Sequence, residues 1–201
     1  MNYKNIDINS WDRKSSFNLF SGIHDPVFSI GLRIDVPLEF VKNLKEKNIK
    51  PFNAILFSVS VGCNKIENFR YRLGKNNTVK LYDSIDPCWV EMGKDNQLNV
   101  RTCKFTEHFN TFVDNMKSSS SLEINSDFAH SPYIATSTQP WFDLTSLNNI
   151  KYSAEDSVAK LVWGKVENGS FYLNIEVNHK FVDGYYISLL KKEIEATLEK
   201  L

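Results

Sequence analysis

Six residues near the C-terminal end combine the types and spacing that could do chemistry: His179-Lys180-Phe181-Val182-Asp183-Gly184. An imidazole ordinarily titrates near neutrality. It is therefore the side chain best suited to take a proton from a hydroxyl and hand it back. The run before it, Ser170 to Asn178, alternates with a period of two. Phe171, Leu173, Ile175 and Val177 fall on one face, and Tyr172, Asn174, Glu176 and Asn178 on the other. That is the pattern of a strand. His179 shares the apolar parity, so it points inward where the strand gives way to an Asp-Gly turn. From these residues alone two readings stay open: a general base, or a core histidine beside a turn.

The elements that must position this histidine follow from periodicity. Pro26 to Val36 alternates as a strand, with Phe28, Ile30, Leu32, Ile34 and Val36 on one face. Ser10 is placed to cap a helix from Trp11 to Phe20. Pro37 opens a helix toward Asn48 with Leu38, Val41 and Leu44 inward, and Pro51 opens another through Ile55, Val59 and Ile66. Short strands are expected at Thr78–Tyr82, Cys88–Met92, Leu98–Lys104 and Tyr133–Thr136. A helix bearing Phe109, Phe112, Val113 and Met116 lies between the last two of these. Val158–Val166 and Ser170–Asn178 form a hairpin through Glu167-Asn168-Gly169, where Asn-Gly is a strong turn signal. Ile187, Leu190, Ile194, Leu198 and Leu201 make one apolar stripe on a C-terminal helix. Strands and helices mix without regular βαβ alternation. The expected fold is therefore α+β: a mixed, mainly antiparallel sheet with packed helices.

Composition narrows the function classes. The 201 residues suit one domain, expected over positions 1–201, and no Gly- or Pro-rich linker divides them. Lys plus Arg equals Asp plus Glu at 24 each, so no basic excess marks a nucleic-acid footprint. No apolar run approaches the roughly 18 residues of a membrane span, and Met1 to Asn5 lacks a signal-peptide core. Cys63, Cys88 and Cys103 read as reduced thiols of a cytoplasmic protein. Four scattered His carry no metal-ligand spacing, so no metal is expected.

The His-x-x-x-Asp-Gly pattern resembles the signature of the chloramphenicol acetyltransferase family, shared more widely by dihydrolipoyl acyltransferase cores and peptide-synthetase condensation domains. Three further segments point to the first of these. Trp11-Asp12-Arg13-Lys14 resembles its Trp-x-Arg-Lys helix, Asn64 to Arg70 its Asn-x-x-x-x-Phe-Arg segment, and Ser137-Thr138-Gln139-Pro140-Trp141 its Ser-x-x-Pro-Trp segment. The resemblance implies a two-layer sandwich, assembled as a homotrimer with active sites between subunits. It also implies acetyl-CoA as co-substrate and a small hydroxylated acceptor, chloramphenicol first among them. A related acceptor bearing a hydroxyl or amine, or a non-catalytic binding trimer, is the alternative. A dihydrolipoyl core fits less well, because the chain shows no lipoyl domain or linker.

By position, the resemblance makes His179 the general base, its other ring nitrogen held by a local carbonyl, and Ser137 the hydrogen-bond donor to the oxyanion. It pairs Asp183 with Arg13 in a salt bridge that holds the turn. The alternative is an exposed turn carboxylate and a solvated arginine. Gly184 is expected to supply a positive φ after Asp183. Trp141 matches a wall of the coenzyme A channel or packs as core. Phe20, Phe28, Trp89 and Phe142 are candidate acceptor-pocket walls, with core packing the alternative. The chain departs from the family pattern at Asn178, where a second histidine is common, at Val182, where Cys is frequent, and at Val162, where a Thr is often found. These departures leave acetyl transfer intact and bear on the acceptor.

Overall fold

In the computed structural model, which describes residues 1–141, 143–153 and 155–201 with the side chains of Lys75 and Asp95 left out, the elements follow one another as β1 (Tyr3–Ile6), α1 (Lys14–Ser21), β2 (Val27–Asp35), α2 (Phe40–Glu46), α3 (Pro51–Lys65), β3 (Tyr71–Leu73), β4 (Val79–Tyr82), β5 (Asp86–Met92), β6 (Leu98–Thr102), α4 (Phe109–Lys117), β7 (Ser120–Ser121), β8 (Tyr133–Thr138), β9 (Lys160–Trp163), β10 (Ser170–Asn178) and α5 (Gly184–Leu198). Seven strands form one sheet in the order β2-β10-β9-β8-β5-β6-β7, and β1-β4-β3 form a smaller one. Among the described residues the β5–β8 and β8–β9 pairings are parallel and the rest antiparallel. Helices α3 and α5 pack on each other; α3 lies against β5 and β8, and α5 against β2. This is the expected α+β arrangement of a mixed sheet backed by helices.

Local chemistry accounts for the elements that carry the site. Pro51 starts α3, where its missing N–H costs nothing. Every residue from Ala54 to Cys63 is buried, so α3 is a core helix rather than a surface one. It approaches α5 closely at Gly62, where an added Cβ would lie 2.6 Å from Leu190 Cδ1. The β9–β10 hairpin closes through Asn168 and Gly169, both at positive φ (49° and 73°), the backbone a type I′ turn requires. Along α5 the apolar stripe is buried at Ile187, Leu190, Ile194 and Leu198 as its spacing predicts.

Three expectations change. The first helix begins at Lys14, not Trp11, and Ser10 hydrogen-bonds to Asp7 instead of capping it. Leu38, ahead of α2, and Val41 within it face solvent (85% and 44% exposed), because the helix starts at Phe40 and its i, i+4 pair Phe40 and Leu44 takes the core side. On β10 the polar face is buried too: Asn174, Glu176 and Asn178 are covered along with the apolar set.

Cys63, Cys88 and Cys103 are free and buried. Burial pushes the Cys88 and Cys103 thiols up to about 12 and Cys63 higher still. The reactive form is the thiolate. The native protein should therefore yield less than one thiol per chain to an aromatic disulfide reagent at mildly alkaline pH, and all three in strong denaturant. A thiol that reacts rapidly in the native state would contradict this burial.

Candidate active site

His179 follows directly on β10. Its backbone N–H donates to Pro26 O at 2.7 Å, extending the β10–β2 ladder by one bond. The chain then turns sharply. Asn178 O accepts from the backbone N–H groups of Phe181 and Val182, and Asn178 Oδ1 accepts from Lys180 N at 3.0 Å. The Asn178 amide also donates to Asp156 O at 3.0 Å. The residue that stands where a second histidine is common therefore ties the turn to the segment before β9.

The turn brings Val182 O within 3.0 Å of His179 Nδ1. A carbonyl only accepts, so Nδ1 carries the proton and Nε2 presents a lone pair. The ring lies between Phe20 of α1 (centroids 4.0 Å apart, 20° between planes) and Phe28 of β2 (4.7 Å, 14°). Phe28 reaches it because β2 pairs Phe28 with Val177. Both phenylalanines thus wall the imidazole itself. Their faces fix its plane and attract the imidazolium that forms when it takes a proton. Beneath the turn, Phe181 is buried against Trp11, Phe17 and Tyr71. Trp11 Nε1 donates to the Tyr71 hydroxyl at 3.1 Å, and that hydroxyl donates to Glu67.

Asp183 anchors the far end of the turn. Its Oδ1 accepts from Tyr185 N at 3.0 Å, capping α5, and its Oδ2 accepts from Arg13 Nη1 at 3.2 Å. The contact with Arg13 is therefore single rather than forked, because the second oxygen serves the helix cap. Among the described residues Arg13 Nε and Nη2 are buried without hydrogen-bond partners, and the guanidinium lies 5.0 Å from the Tyr186 ring centroid. Gly184 does not supply a positive φ: it is the first residue of α5, and Gly169 is the glycine with that backbone. Asp183 sits at φ −127° as the cap, so the turn needs no left-handed residue after it.

Ser137 lies on β8, opposite Val162 of β9. Its hydroxyl has no hydrogen-bond partner among the described residues, and it stands on the wall common to two cavities. The smaller, ≈ 260 Å³, is lined in part by Ala135, Leu147, Tyr152, Lys160 and Val162. The larger, ≈ 590 Å³, runs along Phe52, Trp89, Met92, Leu98 and Pro140 to Trp141. Trp89 is a buried wall of the larger cavity, while Trp141 is 68% exposed at its rim and so is not core in the isolated chain. Phe142 lies outside the described residues.

The structure does not bring His179 and Ser137 together in one chain. The register leads from Ser137 through Val162 to Asn174. Ser137 is thus two strands away from β10 and five residues short of His179, roughly 10 Å in one direction and 17 Å in the other.

A family model described as chloramphenicol acetyltransferase matches residues 1–195. The chain belongs to the chloramphenicol acetyltransferase family. It is 25% identical over 212 residues to a chloramphenicol acetyltransferase of Campylobacter coli, covering all of both chains. A solved chloramphenicol acetyltransferase superposes with a TM-score of 0.85 at 24% identity, over 98% of this chain and 100% of that one. The dihydrolipoamide acetyltransferase of Azotobacter vinelandii shares the fold at a TM-score of 0.61 and 14% identity, over 92% of this chain and 86% of that one.

One feature of this family member escapes reading along the sequence. Lys160, Asp156 and Glu176 form a buried ion cluster on the polar face of β9 and β10, with Lys160 Nζ 2.7 Å from Asp156 Oδ2 and 3.7 Å from Glu176 Oε1. The signal was present as a pairing rather than a motif: Lys160 and Glu176 stand opposite each other in register. Nothing local announces that the segment from Leu144 to Tyr152 covers that face, where Asn149 N donates to Glu176 Oε2 at 3.2 Å.

Proposed function

We propose that the protein is an acetyl-CoA-dependent O-acetyltransferase that transfers acetyl directly to a small hydroxylated acceptor. Chloramphenicol, for which the curated relatives are named, is the first acceptor to test; its acetylation would make this an antibiotic-resistance enzyme. The observation that carries the reading is His179, whose plane is clamped by Phe20 and Phe28 and whose Nδ1 faces Val182 O, leaving Nε2 free as a base.

The acceptor hydroxyl attacks the thioester carbonyl while Nε2 takes its proton. The tetrahedral oxyanion receives a hydrogen bond from Ser137 Oγ. Collapse breaks the carbon–sulfur bond, the acetyl ester leaves, and the coenzyme A thiolate recovers the proton from the imidazolium. No acyl-enzyme is needed. Because His179 and Ser137 are far apart within a chain, the working site draws His179 from one copy and Ser137 with its two cavities from the next. Such a head-to-tail interface closes into a ring, here a homotrimer of the single domain 1–201. The larger, tryptophan-lined cavity takes the thioester arm of coenzyme A and the smaller one the acceptor. Three buried, unpaired thiols fit a cytoplasmic protein.

The test is thiol release from acetyl-CoA by the purified protein with chloramphenicol, with the product confirmed by mass spectrometry and assembly measured by sedimentation. Ser137→Ala should lower kcat by about 10²- to 10³-fold with KM little changed, the effect of losing one oxyanion donor. Binding of coenzyme A without transfer to any acceptor would overturn the reading in favour of a non-catalytic trimer.

A further inference from the structure

The smaller cavity beside Ser137 is not an apolar slot. Lys160 lines it, and behind Lys160 lie two carboxylates, with the three side chains 7%, 4% and 5% exposed for Lys160, Asp156 and Glu176. Asp156 is fully occupied: Oδ1 accepts from Val158 N at 3.0 Å, and Oδ2 accepts from Tyr152 N at 3.1 Å beside the lysine. Glu176 is not. Its Oε2 accepts from Asn149 N, but among the described residues Oε1 has no hydrogen-bond donor and only the Lys160 ammonium 3.7 Å away. The buried Arg72 guanidinium, which Asp156 stabilises electrostatically, offsets the second carboxylate, so what Glu176 lacks is a hydrogen-bond donor rather than a charge. A buried carboxylate oxygen one donor short is costly unless something completes it.

The two groups that touch this carboxylate, Asn149 and Lys160, are both in the cavity wall. Tyr152 adds a phenol held protonated, because burial pushes it up to about 12. At ≈ 260 Å³ the cavity falls below the roughly 300–1,000 Å³ of pockets for drug-sized ligands. An aryl group placed there would leave the Lys160 ammonium and, behind it, the open oxygen of Glu176 without a polar partner. A compact polar group would satisfy them.

Resting on the acetyltransferase reading above, we infer that the cavity formed by Ser137, Tyr152 and Lys160 over Glu176 is an acceptor subsite for compact polar molecules without an aryl group that carry a hydrogen-bond donor beside the hydroxyl to be acetylated. The donor is either a second hydroxyl or a protonated amine, and its role is to complete the Lys160–Asp156–Glu176 cluster. Lys160 and Glu176 are then specificity-determining residues: they select the acceptor without touching the reacting carbonyl.

The test ranks three acceptors with the full-length protein and acetyl-CoA: chloramphenicol, a neutral polyol (sorbitol) and an amino sugar (glucosamine). It reads kcat/KM by thiol release and affinity by calorimetry in the presence of coenzyme A. The expected result is that the polyol or the amino sugar exceeds chloramphenicol at least tenfold. Glu176→Gln should then lower kcat/KM for the preferred polar acceptor by tenfold or more, chiefly through KM, while coenzyme A affinity stays within twofold. A deficit confined to glucosamine identifies the donor as an amine; an equal deficit for sorbitol identifies it as a hydroxyl. Preference of the wild-type protein for chloramphenicol overturns the inference, and this result needs no variant to fold. So does a Glu176→Gln deficit of equal size for all three acceptors. If nothing is acetylated, the acetyltransferase reading fails, while the calorimetric ranking and its dependence on Glu176 still decide the inference.

Discussion

Replacing His179 with alanine should lower kcat for acetyl transfer by about 10³- to 10⁴-fold, at the upper end of what a positioned general base contributes. Nε2 is the only ring nitrogen free to take the acceptor proton, because Nδ1 faces Val182 O. Coenzyme A affinity should hardly change, since the proposed mechanism has the imidazole act on the acceptor hydroxyl and not on the thioester arm. The fold should survive. The backbone bond from His179 N to Pro26 O does not involve the side chain, and the turn rests on Phe181 and on the Asp183 cap. Loss of the ring between Phe20 and Phe28 should cost about 1–2 kcal/mol in stability, a partly exposed case of large-to-small truncation. Thiol release, thermal unfolding and sedimentation on the same sample separate these effects. Turnover within tenfold of wild type by a folded protein would remove His179 from the mechanism.

Replacing Arg72 with methionine should cost at least ~4 kcal/mol in stability, a large part of the roughly 5–15 kcal/mol that holds a domain folded. Arg72 is 1% exposed and donates only to main-chain carbonyls: Nη1 to Phe69 O at 2.8 Å and Tyr71 O at 2.6 Å, Nε to Ser131 O at 2.7 Å, and Nη2 to Tyr133 O at 2.6 Å. Burial lowers the guanidinium to about 10, so it is still charged at neutral pH. Methionine fills much of the volume but strands four acceptors, two buried and two half-buried, and a buried one costs about 1–3 kcal/mol when left unpaired. Lysine should not rescue, because a single ammonium cannot reach four carbonyls spread around a planar fork. The position also matters for function. Tyr71 belongs to the aromatic floor under the His179 turn, while Ser131 and Tyr133 lead into β8 and Ser137. Within a chain Arg72 therefore ties the segment under His179 to the strand that carries Ser137. Urea unfolding of both variants measures the effect, and a loss under 2 kcal/mol would show that water replaces the guanidinium.

Much of the strand that carries His179 was readable because its determinants are local. The alternation of β10, the positive φ at Asn168 and Gly169, and the stripe of α5 each depend on neighbours within a few positions. Individual exposures were less readable. Leu38 and Val41 are apolar and fall on a helical period, yet they face solvent, because where α2 begins decides which side of it meets the core. Gly184 follows Asp in the manner of a turn glycine, yet the chain there is already helical, because Asp183 caps α5. Glu176 and Asn178 alternate as an outer face should, but a segment some thirty residues earlier in the chain covers them.

By itself, then, the sequence determined that a histidine ends an inward-facing strand ahead of an Asp-Gly pair and a helix, and that the chain builds an α+β sheet around it. Those are consequences of short-range periodicity and of residue chemistry at single positions. Only the tertiary structure decided what the histidine touches: Phe20 and Phe28 on its two faces, about 150 residues away in the chain, and Val182 O at Nδ1. It alone separated His179 from Ser137 and set a buried charge beside the serine's cavity. Strand order and register govern such distances, and they arise from how distant segments pack, which no local pattern encodes.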